Sequence, residues 1–132
     1  MTDFTHDDVL TPLAITVIID TKVKEPEIAE FCVQATHLLD LFELEALSEA
    51  ALRAWLARHQ KTFEDKLQSA RKNTFVLRIL TRFKEDLHVE NIYDAMVSIS
   101  VSDNEYRKEE SELVKSAASI WGYERPPLKV IR

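Results

Sequence analysis

A chain of 132 residues with a single glycine, Gly122, cannot build many tight turns. The common hairpin turns need residues at positive φ, which glycine supplies without steric cost. A hairpin-rich or all-β domain of this length would need several glycines, and helices need none. The expectation is an all-α chain, and two stretches of ambiguous local composition are assigned to helix on that ground. From Asp7 or Asp8 to Ile19, Val9, Leu10, Leu13 and Val17 fit a helical stripe, whereas Ile15-Thr-Val-Ile-Ile is β-branched and strand-like. From about Glu90 to Ser102, Ile92, Met96 and Ile99 recur at helical spacing, although Val97-Ser-Ile99-Ser-Val101-Ser alternates with a strand's period of two.

Both stretches end on the same plan. Val101-Ser-Asp103-Asn-Glu105-Tyr-Arg-Lys-Glu109-Glu110-Ser-Glu112 carries an apolar run into an aspartate, a short polar elbow and an acid-rich helix. Ile18-Ile19-Asp20-Thr-Lys22-Val-Lys24-Glu25-Pro-Glu27-Ile28 repeats it at an offset of 83 positions, with Asp20 matching Asp103, Lys22 matching Glu105 and Glu27 matching Glu110. An internal echo of this kind implies two copies of one helix-elbow-helix unit.

The remaining elements follow from periodicity. From Glu25, the residues Ile28, Phe31, Cys32, Ala35, Leu38, Leu39 and Phe42 mark one face of a long amphipathic helix with Pro26 in its first turn. Ser48 is expected to cap a helix that buries Ala51, Leu52, Trp55 and Leu56 and ends near His59. Thr62 is expected to cap another, carrying Phe63, Leu67 and Ala70. A break is expected near Asn73-Thr74, before Val76, Ile79, Leu80 and Phe83, and Asp86 or His88 closes that segment. A last helix, roughly Lys108 to Trp121, should bury Leu113, Val114, Ala117 and either Trp121 or Ile120. Gly122 stands where a left-handed C′ residue belongs, and Pro126-Pro127 stops any continuation. This gives one domain over residues 1–132, with six or seven helices and an extended tail over 123–132. A chain of this size buries roughly 68–70% of its unfolded surface, enough for one core.

The formal net charge of −6 disfavours nucleic acid as a partner, and the basic residues read as mixed with carboxylates, without a Lys/Arg block for phosphates. Cations or a basic protein partner suit the charge better. With one cysteine, Cys32, no intramolecular disulfide can form, which fits a reducing compartment. The acidic start lacks the basic region of a signal peptide, and the apolar run Leu13 to Ile19 is too short to span a bilayer. The expected location is the cytoplasm, with membrane contact only through a partner.

The elbows are the candidate chemistry, since hard divalent cations such as Ca²⁺ or Mg²⁺ take oxygen ligands. Counted from Asp103 as an EF-hand loop, position six is Lys108 instead of glycine and position twelve is Val114 instead of glutamate. The first elbow fails likewise at Glu25 and Phe31. The elbows are therefore not EF-hands. The competing reading is structural: Asp20 and Asp103 end one helix and help cap the next, and the following glutamates complement its dipole. Lys22 and Lys24 would repel a cation, so the second elbow is the better candidate. His6, His37, His59 and His88 show no ligand spacing, and Cys32 lies on an apolar face, where a buried thiol is expected rather than a nucleophile.

The stretches Leu13-Ala-Ile-Thr-Val-Ile-Ile-Asp20-Thr-Lys-Val-Lys-Glu-Pro-Glu27-Ile and Ile99-Ser-Val-Ser-Asp103-Asn-Glu105-Tyr-Arg-Lys-Glu109-Glu110, with the closing Ile120-Trp-Gly122-Tyr, resemble the TerB-like family of tellurite-resistance proteins. That family repeats twice a small-residue apolar helix, Asp-Gly-Glu, a polar step and a Glu-rich helix ending near Leu-Gly. The resemblance implies an all-α, cytoplasmic, bacterial and non-enzymatic protein of tellurite resistance or stress response. It also implies an acidic face for a divalent cation or a basic partner. The family's acidic elbow positions, regarded as metal-binding, match Asp20 and Glu27 in the first copy and Asp103, Glu105, Glu109 and Glu110 in the second. Thr21 and Asn104 replace the family's glycine and Lys22 its glutamate, so the first elbow is expected to keep a structural role only. The alternative is a helical interaction module without metal binding. Direct chemistry on tellurium oxyanions is disfavoured by the single cysteine and the negative charge.

Overall fold

Thr5 starts the first helix through a reciprocal cap, its Oγ1 accepting from the Asp8 amide at 3.1 Å while Asp8 Oδ2 accepts from the Thr5 amide at 3.0 Å. The structure, a computed structural model, describes residues 4–19, 23–102 and 108–122. Within them the chain is all-helical: α1 (His6–Ile18), α2 (Glu25–Leu41), α3 (Glu49–Leu67), α4 (Lys72–Leu80), α5 (Asp86–Ser100) and α6 (Lys108–Ile120).

α1 is the hub, packed against α2, α3, α4 and α5. Every residue from Val9 to Ile18 except Thr11 is buried. A helix apolar all round is a core helix and carries no stripe. That is why Ile15-Thr-Val-Ile-Ile reads as strand-like locally: β-branched residues fill a site enclosed on all sides, and burial outweighs their small helix penalty. The Thr16 hydroxyl, also buried, donates to the Pro12 carbonyl at 2.9 Å. In α5 the helical stripe prevails over the period of two, burying Val89, Ile92, Tyr93, Met96 and Ile99 and leaving Val97 and Ser98 half-buried.

α2 begins at Glu25 with Pro26 in its first turn, as its sequence requires, and ends in a Schellman turn without glycine. Glu43 takes φ +59°, the Leu44 amide donates to the Leu39 carbonyl at 2.8 Å, and the Glu43 amide to Asp40 at 3.0 Å. The single glycine serves the same end of α6, where Gly122 sits at φ +83°. Three boundaries differ from the sequence reading. α3 does not end at His59, nor does Thr62 cap a new helix. The rings of Trp55, His59 and Phe63 stack along one face, with centroids 4.5 and 5.5 Å apart, carrying the buried stripe on to Leu67. The break falls at 68–71, ahead of Asn73, and leaves Ala70 exposed. Asp86 opens α5 rather than closing α4, because an acid is favoured at a helix N-terminus.

Arg82 Nη2 also donates to Asp8 Oδ2 at 2.8 Å, tying the α4–α5 link to the start of α1. Burial raises the Asp8 pKa, but the Thr5 amide and the Arg82 guanidinium outweigh it and hold the carboxyl below its usual value. With the folded pKa below the unfolded one, the unfolded chain binds the proton more readily, so this stabilisation is complete at neutral pH and disappears as acid titrates the folded carboxylate. Asp8→Ala is expected to cost about 1 kcal/mol at neutral pH. In urea unfolding the difference from the parent chain should shrink below about pH 4.

Candidate functional site

The two elbows join α1 to α2 and α5 to α6, so each copy of the repeat is a helix hairpin, and α1 packs on α5. Glu27 is the third residue of α2 and Glu110 the third of α6, and both are 0% exposed. Glutamate is almost never fully buried unless it is paired, and both side chains are engaged. The third helical position is also where a carboxylate reaches back toward the preceding cap and meets the positive end of the helix dipole. The matched pair read from the repeat therefore occupies matched environments.

The other candidates differ. Glu109 is exposed and lines a groove between α4 and α6, of about 350 Å³, together with Glu112, Lys72, Val76, Leu77 and Leu113. Asp20, Asp103 and Glu105 lie outside the described residues, as does the 123–132 tail. Among the described residues no group of three or more His, Cys, Asp or Glu side chains is placed to hold a metal ion.

Beside Glu27, the first turn of α2 is clasped to α3. Arg53 donates to both oxygens of Glu25 at 2.7 and 3.1 Å and to Glu49 at 2.9 Å. Its hydrogen bonds lower the Glu25 pKa, and the carboxylates in turn raise that of the guanidinium. Both carboxylates are open to solvent and Arg53 is partly so, so the clasp orients the helix ends more than it stabilises them. Cys32, one turn further along α2, is 6% exposed and its thiol is pushed up by burial. A thiol held protonated is a poor nucleophile.

The histidines play separate structural parts. His88 stacks on Phe42 at 4.1 Å, His37 meets Asn91 at 3.3 Å, and His6 hydrogen-bonds the Glu45 carbonyl at 2.8 Å. Sequence reasoning missed the ring ladder through His59, though Trp55, His59 and Phe63 at spacing four would have shown it. No described helix is long and apolar enough to cross a membrane. No family model matches the chain, and searches of curated proteins and of solved structures find no match either.

Proposed function

We propose that this chain is a non-enzymatic, TerB-like protein of bacterial tellurite resistance or stress response, acting in the cytoplasm through its acidic elbows. The observation that carries the reading is the equivalent, complete burial of Glu27 and Glu110 at the two elbows. A buried carboxylate at the start of a helix, preceded in sequence by Asp103 and Glu105, suits a hard divalent cation such as Ca²⁺ or Mg²⁺. In the first copy Lys22 and Lys24 supply positive charge already, so Asp20 and Glu27 have the structural version of the role. The second elbow, through Asp103, Glu105, Glu109 and Glu110, has the binding version. A buried, protonated Cys32 weighs against thiol chemistry on oxyanions.

Calorimetric titration of chelator-treated protein with Ca²⁺, Mg²⁺ and Mn²⁺ tests this. Binding is expected, and is expected to be lost in Asp103→Ala/Glu110→Ala. No heat at millimolar metal, or an unchanged isotherm in the double variant, removes the cation.

A second reading, a helical interaction module without metal, draws on the α4–α6 groove, where Leu77 is 47% exposed beside Val76 and Leu113. Under it the double variant melts lower and added metal changes nothing.

A further inference from the structure

Charge in this chain is segregated rather than mixed. Residues 51–84 hold nine of the 17 Lys and Arg but only two of the 23 Asp and Glu, a net +7 against −13 for the remainder. The reading of basic residues interspersed with carboxylates fails here, because it treats the chain evenly while the surplus falls on α3, α4 and their corner.

The corner encloses a concavity of about 360 Å³ lined by Lys66, Arg71, Thr74, Phe75 and Arg78, with Asp65 its one carboxylate. Arg71, Thr74, Phe75 and Arg78 recur at spacings of three, four and seven, hence along one face, with the two arginine positions about 10 Å apart. Lys66 Nζ stands 5.6 Å from the Phe75 ring centroid between them. Three other basic residues of the stretch are committed: Arg53 to Glu25 and Glu49, Arg82 to Asp8, and Lys61 to Asp65 at 3.2 Å. Among the described residues Lys66, Arg71 and Arg78 form no ion pair. Arg71 and Lys72 also crowd the positive end of α4, whose first turn has no acid. Helix electrostatics disfavours that placement, so folding does not account for it.

We propose that this concavity docks an acidic, amphipathic segment of a partner protein, independently of what the elbows bind. Carboxylates seven residues apart on a helix match the two guanidiniums, and an apolar side chain between them lies on Phe75. Charge complementarity also selects against an extended polyanion. A nucleic acid running past the corner meets the −13 remainder, whereas a short acidic segment meets only the cations.

The test is fluorescence anisotropy with a labelled synthetic helical peptide bearing two glutamates seven residues apart and leucines between. A glutamine-substituted peptide and a single-stranded oligonucleotide serve as rivals. The full chain is expected to bind the acidic peptide, more weakly as salt rises, with affinity falling about tenfold or more in Arg71→Glu/Arg78→Glu. Lys115→Glu, at an exposed position outside both the basic stretch and the concavity, should leave binding as it is. The proposal is overturned by no binding, by equal affinity for the glutamine peptide, by tighter binding of the oligonucleotide, or by a charge-reversed variant that binds as well. The peptide comparison leaves the protein unaltered and stands even if that variant folds poorly.

Discussion

Phe42→Ala is expected to lower the unfolding free energy by about 3–5 kcal/mol, the cost of removing a large buried aromatic and leaving a cavity. Phe42 closes α2, and its ring meets Phe4 at 5.3 Å, Phe83 at 5.8 Å and His88 at 4.1 Å. One side chain thus joins the N-terminal segment, the α4–α5 link and α5. The melting temperature should fall roughly 10–20 °C for a domain of this size. Phe42→Leu, which keeps most of the volume, should lose far less.

The second large effect separates two neighbouring glutamates. Glu110→Ala is expected to destabilise the chain by about 1–3 kcal/mol, because it strips a buried, engaged carboxylate from its partner. Glu109→Ala, at the exposed position beside it, should stay within about 0.5 kcal/mol of the parent. Glu27→Ala should resemble Glu110→Ala if the two elbows are copies of one unit. Chemical unfolding of the three variants measures this.

How much of this was legible in the residues depends on the kind of signal each carries. The amphipathic helix from Glu25 and the stop at Gly122 were readable, because a one-sided stripe and a positive φ each leave a direct trace. α1 was ambiguous for a physical reason: a helix enclosed on all sides has no polar face to set its period. The helix runs on past His59 because the imidazole ring continues an aromatic stack from Trp55 to Phe63, which a reading of aliphatic spacing alone does not register. The repeat pointed to Glu27 and Glu110 as equivalents, and both are buried at the same helical position. Burial itself was not readable, since an acid-rich first turn looks alike whether its carboxylates face solvent or core. The basic corner was available by counting charge in windows, and an average over the whole chain hides it.

We propose that the second elbow uses the charge of its buried carboxylate to hold a cation, beyond any capping role. Glu110→Gln separates the two, because the amide keeps an acceptor oxygen and the shape but removes the charge. The direct measurement is thermal melting of the metal-free chain with and without millimolar Ca²⁺ or Mg²⁺, for the parent and for Glu110→Gln. The parent should melt higher with metal, by the stabilisation that binding to the folded state alone confers, and the variant should show little or none of that rise. A parent melt unchanged by metal, or a rise of equal size in Glu110→Gln, would contradict the account.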